Sequence, residues 1–342
     1  LYIGDGMGIS QIMAARIYLL GVQGRFEIEK MPVTTLVTTH SIDRLLTDSA
    51  AGATAMATGY KTRNGMVGMS RDSVVFKTVL EAAMERGKSS GLIATSSITH
   101  ATPACFASHV PSRSQHSEIA RQLIHQQVDV ILGGGRQYFL PQEMSGSKRS
   151  DSLNLLKMAS GLGYEVVNDK KQLERITSNK ILGLFALGEL KQGTLQPTLC
   201  EMTRKALEVL GKDPDGFFLM VEGSQIDWAG HDNDFPALVR EMAAFDSAVA
   251  VGLEFAQNNK NTLILVTADH ETGGLLITGG DVDGKNIKVD WHYTSHTGQM
   301  VPLFAAGSGA QSFSGIIDNT DIAKILANLL GLQNFPKVIN PD

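Results

Sequence analysis

Short apolar segments alternate with longer helix-forming segments along most of the chain. Several of the apolar segments are continuous instead of alternating with polar residues, which is typical of strands covered on both faces in a mainly parallel sheet. They predict strands over residues 1–3, 33–38, 91–95, 128–132, 217–221, 262–267 and 303–306. The segments between them predict helices over residues 10–20, 49–57, 74–85, 115–126, 195–210, 236–257 and 321–330.

This order predicts an α/β fold in which a mainly parallel central sheet has helices on both faces. No linker interrupts the pattern, so we expect a single domain over residues 1–342. Within it, residues 135–195 lack the strand–helix rhythm and predict a helical insert. Residues 275–295 predict a short surface insertion, and residues 281–290 within it predict a turn or small hairpin. Residues 1–3 resemble the last half of a buried strand, so we expect the polypeptide to extend upstream, where any signal peptide would lie.

Composition and charge narrow the function classes. The 342 residues are 43% hydrophobic and 19% charged, which is ordinary for a globular protein with a large core. The net charge is −5 and no long basic run occurs, which argues against a nucleic-acid partner. No apolar segment is long enough to cross a bilayer. Cys105 and Cys200 are too few for a thiolate zinc site or a disulfide scaffold.

Ser49 follows an aspartate and opens a run of small residues that continues to Ala57. This pattern predicts that Ser49 lies at or near the N-cap of a helix, where unpaired N–H groups and the helix dipole favour anions such as phosphate. A serine there is either a capping residue or a nucleophile. Taken alone the motif favours the cap, and the other motifs of the chain favour the nucleophile.

Acidic residues and histidines follow most of the predicted strands. Ligands of open α/β sheets bind beyond the carboxyl ends of the strands, and these ends share one rim. We therefore expect the following side chains to converge: Asp5, His100, Thr102, Glu222, Asp227, His231, Asp269, His270 and His296. Four other histidines have no acidic cluster beside them and are expected to be structural: His40, His109, His116 and His125.

Each of these residues has an ordinary structural explanation when taken singly. Asp227 and His231 are four residues apart, which on a helix suits either a metal ion or a simple ion pair. His292 and His296 have the same spacing, which does not show which of the two matters. Together, however, so many carboxylates and imidazoles on one rim would repel one another or lack partners without cations among them. Mixed Asp/His sets suit Zn²⁺, and an oxygen-rich set suits Mg²⁺.

Seven segments form a series of motifs along the chain. They are residues 4–8 (Gly-Asp-Gly-Met-Gly), 47–51 (Thr-Asp-Ser-Ala-Ala), 99–104 (Thr-His-Ala-Thr-Pro-Ala), 109–113 (His-Val-Pro-Ser-Arg), 221–223 (Val-Glu-Gly) with 226–227 (Ile-Asp), 267–274 (Thr-Ala-Asp-His-Glu-Thr-Gly-Gly) and 296–298 (His-Thr-Gly). In this order they are similar to the motifs of the alkaline phosphatases, and the chain resembles this family over nearly its whole length. Its compact, glycine-rich sequence is similar to a cold-active bacterial member.

The resemblance implies a role for each motif. Ser49 would be the nucleophile that becomes phosphoserine, Arg113 would bind two phosphate oxygens, and Asp48 would orient that arginine. The implied metal complement is two Zn²⁺ and one Mg²⁺ per chain. The implied ligands are Asp227, His231 and His296 for one zinc, Asp5, Asp269 and His270 for the other, and Asp5, His100, Thr102 and Glu222 for magnesium.

Two residues depart from the pattern of many members, although other members share both features. His100 stands where many bacterial members have an aspartate, so magnesium is expected to bind less tightly there and zinc to compete. Trp228 stands at a substrate-binding position where some members have a lysine that contacts phosphate through water. We therefore expect weaker phosphate retention. The stretch 271–295 is short where larger members insert a surface domain, which implies a more open site.

The resemblance implies a phosphomonoesterase of low substrate selectivity with an alkaline pH optimum, acting as a homodimer in the periplasm or outside the cell. Its partners would be phosphate monoesters and inorganic phosphate. A sulfatase or phosphodiesterase of the wider superfamily would need a different nucleophile or an apolar subsite for a second ester group. A Ser–His–Asp hydrolase would need glycines where Asp48 and Ala50 stand. A non-catalytic metal- or phosphate-binding protein would need no serine beside the metals.

Overall fold

The computed structural model describes residues 1–191 and 196–339, and its elements alternate much as the sequence predicts. The strands are β1 (Tyr2–Gly4), β2 (Val33–Thr38), β3 (Val75–Phe76), β4 (Ser89–Ser97), β5 (Val130–Gly134), β6 (Glu165–Val167), β7 (Ile181–Leu184), β8 (Phe217–Gly223), β9 (Leu263–Thr267), β10 (Glu271–Thr272), β11 (Leu275–Gly279), β12 (Lys288–Trp291), β13 (His296–Thr297), β14 (Val301–Gly307), β15 (Ile316–Asp318) and β16 (Val338–Ile339). The helices are α1 (Ile9–Leu20), α2 (Ser49–Thr58), α3 (Val79–Met84), α4 (Ala101–Ala107), α5 (His116–Gln126), α6 (Leu155–Gly161), α7 (Lys170–Arg175), α8 (Leu199–Leu210), α9 (Gln225–His231), α10 (Phe235–Asn258) and α11 (Asn319–Leu329).

One large sheet organises the molecule. Its ten strands run in the order β15-β2-β14-β9-β1-β8-β4-β5-β7-β6. β14 is antiparallel to its neighbours β2 and β9, and the other neighbouring pairs are parallel. Strands β1, β5 and β8 are almost wholly buried, as expected when helices cover both faces. The prediction of an α/β fold with a mainly parallel sheet is confirmed.

The helices pack on the sheet in two groups. In one group, α10 contacts both α1 and α8, and α8 and α10 also contact strands of the sheet. In the other, α2 contacts α3, α4 and α11, while α3 and α4 pack against β4 and β8. The side chains between these layers form one apolar core, in which Phe106, Phe139 and Phe245 are among the largest fully buried residues. This core holds the strand ends, and therefore the rim, in fixed positions.

Two predicted helix boundaries need comment. α3 begins at Val79 instead of residue 74, because the Thr78 hydroxyl and the Glu81 carboxylate each accept a hydrogen bond from the other residue's backbone N–H. The residues just before this cap form β3, which pairs with β16. The first residue of the helix predicted over 195–210 lies outside the described residues, and the described part of that helix is α8.

The segment 135–195 differs from expectation. Its described part contains α6 and α7, but also β6 and β7, which extend the large sheet in parallel beyond β5. The helical insert expected over 135–195 therefore contains two helices, but the expectation did not include these two strands. The turn or small hairpin predicted over 281–290 overlaps the antiparallel pair of β11 and β12, which begins earlier, at Leu275. In the part of the chain that the structure describes, no helix has both the length and the apolar character needed to cross a membrane.

Candidate active site

The carboxyl ends of the parallel strands bring the predicted acidic residues and histidines to one rim. Asp5 directly follows β1, Glu222 is the penultimate residue of β8, and Asp269 comes two residues after β9. His100 occupies the N-cap position of α4 without a side-chain capping bond, and Thr102 lies in the first turn of that helix, after β4. Because β14 runs against the other strands, the segment before it, which carries β13, reaches the same rim.

Ser49 is the first residue of α2, one position after the N-cap. The cap is Asp48, whose backbone is extended and whose Oδ1 accepts a hydrogen bond from the N–H of Ala51 at 2.9 Å. Ser49 thus lies near the cap, as predicted, but Asp48 does the capping. The Ser49 hydroxyl is free for other contacts, and its Oγ lies 3.4 Å from Nε2 of His270.

Arg113 is tied to the same capping residue. Its Nη1 donates to Oδ2 of Asp48 at 3.0 Å, and its Nη2 lies 3.4 Å from Nε2 of His100. The N–H of Gly65 also donates to Oδ2 of Asp48, at 3.0 Å. One carboxylate therefore caps the helix that carries Ser49 and orients the guanidinium beside it.

Asp5, Asp269 and His270 form the inner cluster, in which one ligand atom from each residue lies within 4.8 Å of the others. Nε2 of His270 lies 3.5 Å from Oδ1 of Asp5 and 3.4 Å from Oδ2 of Asp269. All three residues are fully buried. Among the described residues, nothing donates a hydrogen bond to either oxygen of Asp5 or to Oδ2 of Asp269. Burial, reinforced by the charges of Asp269, Asp227 and Glu222, raises the pKa of Asp5 well above its ordinary value.

The structure contains two more such clusters. The one called the third cluster below consists of Asp5, His100 and Glu222, and it shares Asp5 with the inner cluster. Within the described ranges, Nδ1 of His100, Oγ1 of Thr102 and Oε1 of Glu222 are buried without a hydrogen-bond partner. Burial raises the pKa of Glu222 to about 7, although a hydrogen bond from Ser224 acts in the opposite direction. Burial, followed by the charge of Arg113, lowers the pKa of His100 to about 3, so its ring is neutral and able to act as a ligand.

Asp227, His231 and His296 form the outer cluster. Nε2 of His231 lies 3.2 Å from Nε2 of His296 and 3.3 Å from Oδ1 of Asp227. The hydrogen bond with Asp227 raises the pKa of His231 to about 9. Burial lowers the pKa of His296, and the nearby His270 lowers it further. His292, which has the same spacing in the sequence, is exposed and belongs to none of the three clusters.

Backbone carbonyls orient the two imidazoles of the outer cluster. Nδ1 of His231 lies 2.8 Å from the carbonyl oxygen of Thr294, and Nδ1 of His296 lies 2.8 Å from that of Thr47. In the neutral rings these contacts favour the proton on Nδ1, so that Nε2 is available as a ligand. Sequence reasoning missed both supporting carbonyls, because backbone groups leave no residue-type signal.

Thr272 is a second contributor that sequence reasoning missed. Its hydroxyl donates to Oδ1 of Asp227 at 2.5 Å, and its Oγ1 lies 3.2 Å from Nδ1 of His270. It therefore connects the outer cluster to the inner one. The only available signal was its position in the acidic motif at 267–274, two residues after His270.

Trp228 lies half-buried on α9 between the two outer ligands of that helix. Its ring centroid is 6.1 Å from that of His100, with the two planes nearly perpendicular. The indole therefore borders the third cluster. It offers one N–H donor and no charge where a lysine would offer a cation.

The donor sets of the three clusters fit divalent cations. Buried carboxylate oxygens and a buried hydroxyl without hydrogen-bond partners are costly unless a cation lies among them. The outer cluster offers two imidazoles and a carboxylate, a set that suits zinc, and the third cluster is richer in oxygen. A serine at a helix N-terminus, a fixed guanidinium and these clusters together define the class of metal-assisted phosphoester hydrolases.

Comparison with known proteins identifies the family. The alkaline phosphatase family model matches residues 1–287 and 281–332. Alkaline phosphatase 3 of Bacillus subtilis (strain 168) is 36% identical over 408 residues, which cover 94% of this chain and 86% of that protein. The solved alkaline phosphatase of the Antarctic bacterium TAB5 is 33% identical, with a TM-score of 0.89 and coverage of 97% of this chain and 98% of that one. The chain therefore belongs to the alkaline phosphatase family of phosphoric monoester hydrolases.

A variant of the TAB5 enzyme, with aspartate in place of a histidine, was solved with magnesium bound in its M3 site. It is 32% identical to this chain, with a TM-score of 0.86 and coverage of 97% of both chains.

Proposed function

We propose that this chain hydrolyses phosphate monoesters through a phosphoserine formed on Ser49, with low selectivity for the alcohol and an alkaline pH optimum. The observation that carries the proposal is the position of the Ser49 hydroxyl at the first turn of α2, 3.4 Å from Nε2 of His270 and next to the residue that orients Arg113. The hydroxyl of a capping serine would accept a hydrogen bond from a backbone N–H of the helix, whereas here Asp48 accepts that bond.

The same proposal assigns three metal ions to the three clusters. One zinc would be held by Asp5, Asp269 and His270, a second zinc by Asp227, His231 and His296, and a magnesium by Asp5, His100, Thr102 and Glu222. When bound, these ions would lower the pKa of the serine hydroxyl and of water and would balance the negative charge of the leaving oxygen. The TAB5 variant, solved with magnesium in its M3 site, supports a magnesium ion in one of the three clusters.

The protein's own residues would do the positioning. Ser49 Oγ would displace the alcohol in line, and water would then displace Ser49 Oγ, so that two inversions give net retention at phosphorus. The guanidinium of Arg113, held by Asp48, would bind two of the equatorial phosphate oxygens through its planar fork. The N-terminal dipole of α2 would add to this charge stabilisation.

The uncharged Trp228 would leave the departing phosphate with fewer cationic contacts than a lysine would provide, which favours faster release. We also propose a homodimer that acts in the periplasm or outside the cell, and one domain over residues 1–342. The dimer and its location are supported by the family resemblance alone, whereas the single domain is also supported by the shared apolar core.

The test combines p-nitrophenyl phosphate turnover, chelation and Ser49→Ala. We expect chelation to abolish turnover, and Ser49→Ala to lower it by at least about 10⁴-fold, as for other catalytic nucleophiles. Acid-quenched single turnovers should leave phosphate on the native protein and none on Ser49→Ala. Ser247→Ala is the matched control, because Ser247 is exposed on α10 and bonds only within that helix in the described structure.

Two results would contradict the proposal. Chelator-resistant turnover would exclude a metal-dependent reaction, and full turnover by Ser49→Ala would exclude the phosphoserine. Faster hydrolysis of p-nitrophenyl sulfate or of bis-p-nitrophenyl phosphate would favour the sulfatase or phosphodiesterase alternative.

A further inference from the structure

His109 lies in the loop between α4 and α5, four residues before Arg113, and its ring contacts two buried acceptors. Nδ1 lies 2.8 Å from the carbonyl oxygen of Gly68, and Nε2 lies 2.9 Å from Oε1 of Glu81. The side chains of the histidine and the glutamate are only 13% and 7% exposed. The sequence predicts no more than a structural role for this residue, but these contacts determine the charge of its ring.

Only a doubly protonated ring satisfies both contacts. A carbonyl and a carboxylate accept hydrogen bonds and donate none, and a neutral imidazole has a single N–H. In a neutral ring, the nitrogen without a proton would face an oxygen that also only accepts, and that contact would be repulsive. Glu81 is also arranged as an anion, since its two oxygens accept from the backbone N–H of Thr78 and from the side-chain amide of Gln126.

The electrostatic surroundings agree with a charged ring. Burial lowers the pKa of His109, but the hydrogen bond and charge of Glu81, together with the Gly68 carbonyl, outweigh it and raise the pKa above the ordinary value. The other charged group that acts on the ring is Lys77, which is itself paired with Glu85. α5 faces this site with neutral side-chain amides, which do not change the balance.

Gly68, whose carbonyl oxygen His109 contacts, belongs to loop 65–68. This loop forms hydrogen bonds with the backbone of Val110 and Arg113. Val67 and Val110 exchange two backbone hydrogen bonds, each of 3.0 Å. The N–H of Arg113 donates to the carbonyl of Gly65 at 2.7 Å. The chain from His109 to the arginine is therefore aligned along loop 65–68.

The same loop reaches the carboxylate that orients the guanidinium. Oδ2 of Asp48 accepts from the N–H of Gly65 and from Nη1 of Arg113, at 3.0 Å in both cases. At the other end of the loop, Gly68 has φ +64, and a Cβ there would lie 2.6 Å from Nδ1 of His109. Only glycine allows this close approach of ring and backbone.

We propose that His109 is a positioning residue for Arg113: its imidazolium, held by Glu81, fixes loop 65–68 and through it the fork that binds phosphate. This inference rests on the proposed role of Arg113 in phosphate binding. It predicts an effect on phosphate affinity without contact between His109 and the substrate.

The test measures competitive inhibition by inorganic phosphate on the metal-loaded enzyme. His109→Gln can replace only one of the two hydrogen bonds and carries no charge, so we expect the inhibition constant and the KM for p-nitrophenyl phosphate to rise together by about tenfold, with a smaller change in kcat. His125→Gln is the matched control, because His125 is exposed on α5. Metal content should not change in either variant.

Glu81→Gln provides a second variant should His109→Gln fold poorly. Glutamine can still accept the capping bond from Thr78, but it does not stabilise a charged ring. We expect phosphate affinity to fall in the same direction by several-fold. Ring ¹⁵N shifts at pH 7 should show His109 as an imidazolium in the native enzyme and as a neutral ring in Glu81→Gln. A neutral ring in the native enzyme would overturn the inference.

The double variant Arg113→Ala/His109→Gln separates this inference from the proposed function. In an Arg113→Ala background, His109→Gln should change the inhibition constant by no more than about twofold, since nothing remains to be positioned. A full tenfold effect in that background would show that His109 acts by another route and would overturn the inference alone. If Arg113→Ala itself left phosphate affinity unchanged, the proposed role of Arg113 in phosphate binding would be wrong, and this inference would be wrong too.

Discussion

The inner and outer clusters both consist of aspartates and histidines, but they differ in how many of their polar atoms have hydrogen-bond partners within the protein. The side chains of Asp5 and His270 in the inner cluster are fully buried, whereas His231 in the outer cluster is 35% exposed. In the outer cluster a proton shared between Asp227 and His231 forms an ion pair, and both imidazoles are oriented by carbonyls. In the inner cluster, within the described structure, three carboxylate oxygens have no donor.

This difference indicates which cluster depends on cations for its stability. The outer cluster has a protonated alternative when a metal ion is absent. The inner and third clusters concentrate carboxylates away from water, where a shared proton only partly relieves their repulsion. We infer that ions at the inner cluster would be integral to the fold, and that an ion at the outer cluster would exchange more readily.

The largest expected effect comes from removing the charge that two clusters share. Asp5→Asn should lower phosphatase activity by at least about 10³-fold, because its carboxylate serves two proposed ion sites, and added zinc or magnesium should not restore activity. His231→Gln, in the outer cluster, should cost about 10–100-fold and recover in excess zinc. Activity assays with metal titration and metal analysis measure both. Recovery of Asp5→Asn in excess metal would contradict the comparison.

The pH dependence of stability should separate the clusters in chelator-treated protein. Glu222, with its pKa raised from 4.5 to about 7, keeps a proton in the folded state that the unfolded state has lost, so stability falls as pH rises across that range. The change is on the order of 3 kcal/mol, and Asp5 shifts in the same direction. His231, with its pKa raised from 6.5 to about 9, contributes stability below pH 6.5 that is lost as pH rises to about 9.

Urea unfolding of the metal-free protein from pH 4 to pH 10 measures this profile. In Glu222→Gln the free energy of unfolding should fall less steeply in the acidic part of the range. In His231→Gln it should fall less steeply in the alkaline part. Metal-loaded protein should show neither decline. A metal-free protein whose stability rises between pH 4.5 and pH 7 would show that the buried carboxylates have partners of their own.

The smallest expected effect concerns the third cluster. His100→Asp would add an anionic oxygen ligand beside Asp5 and Glu222, so magnesium should bind about tenfold more tightly and its dependence in the assay should strengthen. Activity against magnesium concentration at fixed zinc measures the change. An unaltered titration would mean that His100 does not determine the ion preference of this cluster.

The sequence predicted the sheet and the convergence at its rim because both follow from chain order. Strands such as β8 and β9 are continuous apolar segments, and the acidic residues directly follow them. The sheet extension by β6 and β7 was not predictable in the same way. These strands have three and four residues, and Gly183, whose added Cβ would lie 2.5 Å from Cζ of Phe185, makes β7 resemble a loop in the sequence.

The details of the site depended on geometry that residue types do not specify. Asp48 and Ser49 are both good capping residues, and the choice between them is made by the backbone of Asp48 and by its bonds to Gly65 and Arg113. Thr272 was not assigned a role because a threonine hydroxyl has no distinctive spacing. The metal-ligand roles, the phosphoserine and the dimer stay predictions.

The first strand lies in the middle of the large sheet, where Tyr2 is opposite Val221 on one side and Val266 on the other. During synthesis from the N-terminal end, β1 therefore cannot complete its pairing until β9, more than 250 residues further along the sequence, has been made. The Ser49 hydroxyl can approach His270, which follows β9, only after that pairing. Phosphatase activity should consequently report that β1 has paired with both β8 and β9.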